Sequence, residues 1–238
     1  MSKYQLIFLL LGFSSVFSQQ PDPSGQVNVE EKPVNYAYLF AHMTHQDYGR
    51  LYYSVSKDGL HWKNLNGGER VFENYQGHPD IVQGPNGKYY IAGNTSDSSP
   101  EINIWISEDL ITWEKHAVYT PDLKDTPGYD EALQRIEAPK LFYDKESSRF
   151  IMTWHTPHKE GTEEDPERYW ASQRTLYVLS KDLKIFEGPP KMFFDWNLGT
   201  IDVIIRKVEG SYYAILKDET YPTLYWPTGK TIRIARSS

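Results

Sequence analysis

Three carboxylates sit where strand chemistry does not favour them. Asp202 interrupts the apolar run Ile201 to Ile205, Asp80 follows Pro79 at the head of Ile81-Val82, and Glu137 heads Ala138-Pro139-Lys140-Leu141. A carboxylate placed in an apolar strand is costly unless it is paired, hydrogen-bonded or turned into a functional cavity. Carboxyls gathered around one point are the usual equipment for acid–base cleavage of an acetal. Plainer readings stay open at each position. Asp202 can cap a strand start, Asp80 can set an Asx-turn, and Glu137 can pair with a Lys or Arg. A second group comprises His78, Asn94, Trp154, His155 and His158. Indole, imidazole and amide groups stack on and hydrogen-bond sugars, though the same residues also serve in an ordinary packed loop. The sequence shows no zinc-ligand spacing, no phosphate-binding glycine loop and no nucleophile elbow.

These residues need a scaffold that brings distant strands together, and the sequence supplies one by repetition. Ser56, Asp58 and Trp62 recur as Ser107, Asp109 and Trp113, and again as Ser180, Asp182 and Phe186; Ser237 stands where a fourth copy would open. Ahead of each later copy runs a strand, a tight turn and an aromatic strand: His78 to Ile81 before Tyr89-Tyr90, Glu137 to Leu141 before Phe150, Ile201 to Val203 before Tyr212-Tyr213. Repeats of about fifty to seventy residues, built of short strands without helical periodicity, predict sheet-sized blades around an axis, an all-β propeller. The Asp of each repeat can accept backbone N–H bonds in a turn, so these recurring residues are read as structural. In a propeller the innermost strand begins, and the second strand ends, on one face near the axis. Asp80, Glu137 and Asp202 at first-strand starts, with Asn94 and His155 at second-strand ends, should therefore crowd one axial pocket. The first repeat, from Tyr36 to Ser56, lacks the innermost strand of its blade.

The chain of 238 residues carries eighteen Tyr and seven Trp, with a net charge of −7. That length suffices for one large β domain, and the acidic balance excludes a basic nucleic-acid surface. Residues 1–18 read as a secretory signal: Lys3 supplies the positive end, Leu6 to Val16 is apolar but too short to span a bilayer, and Val16-Phe17-Ser18 fits a cleavage site. Residues 19–34 form a flexible lead-in, and 35–238 the propeller. With no Cys anywhere, the chain reads as a secreted or periplasmic protein of bacterial-type export, not inserted in a membrane and monomeric.

From Tyr36 to Ser238 the sequence resembles family 43 glycoside hydrolases, which are five-bladed β-propellers. The resemblance rests on His78-Pro79-Asp80-Ile81, on Tyr89-Tyr90 with Ser107-Glu108-Asp109-Leu110-Ile111-Thr112-Trp113, on Ala138-Pro139 and on Ile201-Asp202-Val203, in the family's order. It implies a secreted hydrolase, inverting, acting on arabinofuranosyl or xylosyl linkages. Asp80 resembles the general base, with His78 a competing match for its column, and Asp202 resembles the carboxylate that orients the acid. The general acid is expected on a further blade beyond Ser238, the chain supplying about three and a half to four blades. Glu137 in Glu-Ala-Pro is the second choice for that acid. No cofactor is implied, although a structural cation such as calcium is compatible with the axial channel. Two other readings stand beside this one. The first is a sugar-binding propeller without catalysis. The second is a sialidase-like propeller, suggested by the Ser56-to-Trp62 turn, which would need an arginine cluster that Arg135, Arg174, Arg206 and Arg233 do not obviously form.

Overall fold

The computed structural model describes residues 37–95, 99–129, 135–158, 165–221 and 229–237. The expected leader and lead-in lie outside the described residues.

Fourteen strands make four antiparallel sheets in sequence order. The first holds β1 (Tyr38–His42), β2 (Tyr52–Ser56) and β3 (Lys63–Asn64). The second holds β4 (Ile81–Gln83), β5 (Tyr89–Asn94), β6 (Ile102–Ser107) and β7 (Glu114–Tyr119). The third holds β8 (Glu137–Asp144), β9 (Arg149–Pro157), β10 (Gln173–Ser180) and β11 (Phe186–Met192). The fourth holds β12 (Thr200–Val208), β13 (Ser211–Asp218) and β14 (Thr231–Ser237). Among the described residues the one α-helix is α1 (Pro166–Ala171), started by Asp165, whose carboxylate accepts from the Glu167 and Arg168 amides. It falls in the stretch that the sequence reads as a plain loop.

Register relates the blades. The Ser that ends a third strand pairs with an aromatic residue that starts or precedes the matching second strand: Ser56 with Tyr38, Ser107 with Tyr89, Ser180 with Phe150, Ser237 with Tyr212. Thus β1, β5, β9 and β13 are equivalent, and the first sheet contains no innermost strand among the described residues, as its repeat predicts.

The recurring Ser and Asp are turn-formers. In the second blade Asp109 Oδ1 accepts from the Ile111 and Thr112 amides at 2.8 and 2.7 Å, and Trp113 Nε1 donates to the Leu110 carbonyl. Asp58 and Asp182 accept from the corresponding amides. These backbone bonds hold Asp109 down at about 2. The turn requires a left-handed residue, supplied as Gly59, Leu110 and Leu183, with φ of 74°, 67° and 59°.

Three apolar cores lie between neighbouring sheets. Leu51, Tyr53, Ile91 and Trp105 fill the first gap, Ile104, Met152, Trp154 and Leu176 the second, and Val203, Ile205 and Leu216 with Phe142 the third. Alternating strand residues thereby face a blade on either side. The innermost strands β4, β8 and β12 adjoin, so their starts come together near the axis.

Candidate active site

Two of the innermost strands are bent at the same place. Between Glu137 and Lys140 the register of β8 against β9 shifts by one residue, and between Ile201 and Ile204 that of β12 against β13 does the same. Each is a β-bulge with its first residue left-handed, Ala138 at φ 45° and Asp202 at φ 52°. Asp is among the few non-glycine types that tolerate that region, yet holding it there costs about 1–3 kcal/mol. The bulge aims Asp202 out of its apolar strand: Asp202 Oδ1 accepts a bond of 3.0 Å from His78 Nδ1.

His78 is placed by glycines. Gly77, at φ 144°, lies so close to β5 that a Cβ there would meet Gly93 Cα at 3.1 Å. A Cβ on Gly93 would collide with the Gln76 carbonyl, which instead accepts a bond of 2.7 Å from the Asn94 amide. On the other ring nitrogen, His78 Nε2 lies 2.7 Å from the Tyr48 hydroxyl. Beneath it the buried Lys140 ammonium donates to the His78 carbonyl at 2.8 Å. Four blades therefore contribute one group each: Tyr48, His78, Lys140 and Asp202.

Glu137 adjoins this set. Its carboxylate accepts from Tyr169 at 3.0 Å and from Arg135 at 2.9 Å, and lies 3.4 Å from His155 Nε2. Burial pushes the Glu137 carboxyl up, but the bond and charge of His155, then Tyr169 and Arg135, outweigh it and hold the group below its ordinary range. Asp202 behaves alike: burial raises it, and the bond and charge of His78, with Lys140 and His155 beyond, hold it well below the usual carboxylate range. Burial pulls Lys140 down, opposed by the charges of Asp202 and Asp80. Side-chain exposures of 23 % for His78, 19 % for Glu137 and 10 % for Asp202 leave these three open to solvent.

Several sequence expectations need revision. Asp80 lies within the field of the same lysine, but its side chain is only 5 % exposed. Arg206 donates to Oδ1 at 3.2 Å and Oδ2 is enclosed without a protein partner, so no path for an attacking water is visible. His78, two residues earlier, takes the more open position. Trp154 forms no pocket wall: it is 1 % exposed, in the core between the second and third blades, edge-on to Tyr119. Its strand position faces the neighbouring sheet. Asn94 is buried and donates from Nδ2 to the Ile136 carbonyl, tying the second blade to the third. His155 is 3 % exposed and holds Glu137 without reaching solvent. His158 packs edge-on to Tyr129, beside Gly128. Glu137, the second choice for a protonated acid, is held ionised. Arg135, Arg174, Arg206 and Arg233 engage Glu137, Asn197, Asp80 and Asp218 separately, so they do not converge on one substrate carboxylate.

Sequence reasoning passed over Tyr48, Lys140 and Arg206. A signal existed for Lys140, which breaks an apolar strand as Asp202 does, with opposite charge. None existed for Tyr48, which occupies a turn in another blade.

A family profile described as "Probable glycosyl hydrolase domain", the family 43-related domain, matches residues 34–236. No curated protein matches the chain. Among solved structures, an α-L-arabinanase from Penicillium chrysogenum in complex with arabinobiose aligns at TM-score 0.53 and 15% identity, over 85% of this chain and 59% of its own. A GH32 β-fructofuranosidase from Bombyx mori aligns at TM-score 0.53 and 17% identity, over 84% and 44%. A GH43 β-1,3-galactosidase aligns at TM-score 0.54 and 14% identity, over 85% and 40%. The chain thus spans about half the length of these structures, and at such identities the likeness is one of fold. With blades, bulged strand starts and the profile in agreement, the chain belongs to the family 43-related glycosyl hydrolase domains.

Proposed function

We propose that this propeller hydrolyses glycosidic bonds, with inversion, in arabinofuranosyl, xylosyl or galactosyl saccharides. The observation that carries the reading is the pair Glu137 and Asp202. They come from successive blades and are ionised and partly exposed, and His155 links them by bonding Glu137 and lending charge to Asp202. An oxocarbenium-like transition state gains positive charge at the sugar ring, which two fixed carboxylates stabilise more than they stabilise the ground state. Glu137, held ionised, is suited to take a proton from water attacking the anomeric carbon directly, and direct attack inverts configuration. Asp202 orients His78. The acidic balance and the leader-like residues 1–18 support an exported protein working on saccharides outside the cytoplasm.

A second reading, a sugar-binding propeller without catalysis, is favoured by one fact. Glu137 and Asp202 are both held on the ionised side, so neither of the open carboxyls is a ready proton donor. A panel of aryl arabinofuranosides, xylosides and galactosides separates the two. Hydrolysis by the native protein, reduced about 10²–10⁴-fold in Glu137→Gln, supports the enzyme. Saccharide binding by calorimetry with no release on any panel member supports the binder.

A further inference from the structure

The reading of this chain as a hydrolase leaves the leaving group without a proton donor, and the first blade offers one. Tyr48 is 69% exposed, yet the turn that carries it is clamped. Asp47, its neighbour, takes two bonds from the Arg70 guanidinium, at 2.5 and 2.6 Å, and a third from the Tyr52 hydroxyl at 2.6 Å. The Asp47 amide donates to Thr44 Oγ1, and the Gly49 carbonyl accepts from the Gly77 amide at 2.8 Å. That last bond joins the turn to the segment carrying His78. An exposed tyrosine is ordinarily free to rotate; this one sits on a two-pronged ion pair, with its ring edge-on to His78 at 5.5 Å between centroids. The hydroxyl lies 2.7 Å from His78 Nε2, and His78 Nδ1 lies 3.0 Å from Asp202. Hydroxyl, imidazole and carboxylate in line is the arrangement in which a proton moves along the chain while the carboxylate fixes the ring.

We propose that Tyr48, His78 and Asp202 form a proton relay that serves as the general acid, with Tyr48 as its terminal donor. This rests on the hydrolase reading above. In the step, the Tyr48 hydroxyl proton passes to the glycosidic oxygen as its bond to the anomeric carbon breaks. The proton on His78 Nε2 passes to the Tyr48 oxygen, leaving Tyr48 neutral and His78 a neutral imidazole. Water adds to the anomeric carbon and gives its proton to Glu137. The sugar hemiacetal and the free alcohol leave, Glu137 releases its proton to solvent, and His78 takes one up. Atoms and charge balance without a further reactant. Asp202 keeps its negative charge throughout. Tyr48 is the catalytic residue of the three, because it meets the substrate oxygen; His78 feeds it, and Asp202 is a positioning residue.

A proton donor matters in proportion to how poor the leaving group is. The test uses the whole protein and two glycosides of whichever panel sugar it hydrolyses, one with a dinitrophenol and one with a methoxyphenol leaving group. For Tyr48→Phe and His78→Gln, kcat/KM on the methoxyphenyl glycoside should fall about 10²–10⁴-fold. On the dinitrophenyl glycoside, which departs unprotonated, it should stay within about tenfold. Matching circular dichroism and Tm show that each variant is folded; Tyr48→Phe removes one exposed oxygen and keeps the ring. Unchanged rates on both glycosides for Tyr48→Phe would overturn the relay while the hydrolase reading stands. Equal losses on both would make Tyr48 a binding residue and also overturn it. No hydrolysis of either glycoside by the native protein overturns the hydrolase reading itself.

Discussion

Replacing Asp202 by asparagine separates charge from shape at the centre of the site. Asparagine has the same size and tolerates the left-handed backbone at φ 52° as aspartate does. Its amide oxygen can still accept from His78 Nδ1, now 3.0 Å from the carboxylate. What is lost is the charge: a bond to an ionised group is worth about 1.5–3 kcal/mol and a neutral one about 0.5–1.5, so about 1–1.5 kcal/mol goes. Against this, a side chain only 10% exposed no longer has to desolvate a charge, which returns a comparable amount. The net change in stability should be within about 1 kcal/mol, or about 4 °C in Tm for a chain of this size. Asp202→Ala should be different. It forfeits the whole bond and puts alanine in the left-handed region, for a loss of about 2.5–5 kcal/mol. Activity should fall in both, about 10²–10⁴-fold, because neither can orient and charge-stabilise His78. Calorimetric melting and initial rates on the aryl glycoside panel give the two readouts. An asparagine variant that melts as low as the alanine variant would mean that the carboxylate charge serves the fold. One that keeps more than about a tenth of native activity would remove Asp202 from the mechanism.

Two further outcomes follow from the same cluster. Lys140→Met removes the buried ammonium that donates to His78 O and faces the charges of Asp202 and Asp80; we expect a loss of about 2–4 kcal/mol, read as a Tm drop of roughly 5–15 °C, and an unchanged Tm would mean that the lysine is not needed there. Acid should destabilise the native protein in a defined direction. Asp202 and Glu137 are held below their ordinary range when folded, so the stability they lend is present above about pH 4 and is lost as pH falls through the unfolded values toward the folded ones. Tm should be nearly flat from about pH 7 to 5 and decline below about 4, less steeply in Asp202→Asn; identical acid limbs in the two proteins would contradict the assignment.

The fold was legible because its grammar is local. Ser, Asp and an aromatic residue at fixed offsets build one turn, and that turn recurs in three blades with the same amide acceptors. Asp202 was legible for a similar reason: a charge inside an apolar run advertises itself. Orientation was not legible. Trp154 and His155 are adjacent on one strand, and β alternation sends the first into the core between blades and the second toward Glu137. Asp80 and His78 likewise lie two residues apart, and only the glycine-tight approach of Gly77 to Gly93 decides which of them opens toward solvent. The bulges at Ala138 and Asp202 leave no glycine in the sequence to mark them. Tyr48 reaches His78 from thirty residues away, a pairing that closure of the propeller creates and no local pattern encodes.

The most direct test of the central claim is the configuration of the sugar at the moment of release. Proton NMR of the native protein acting on its best panel substrate, recorded before mutarotation, resolves the first anomer formed. Water activated by Glu137 and attacking directly should yield the inverted anomer first, with Glu137→Gln producing neither anomer at a comparable rate. Release of the retained anomer would require a covalent intermediate and a nucleophile, and would contradict the roles assigned to Glu137 and the Tyr48–His78–Asp202 relay.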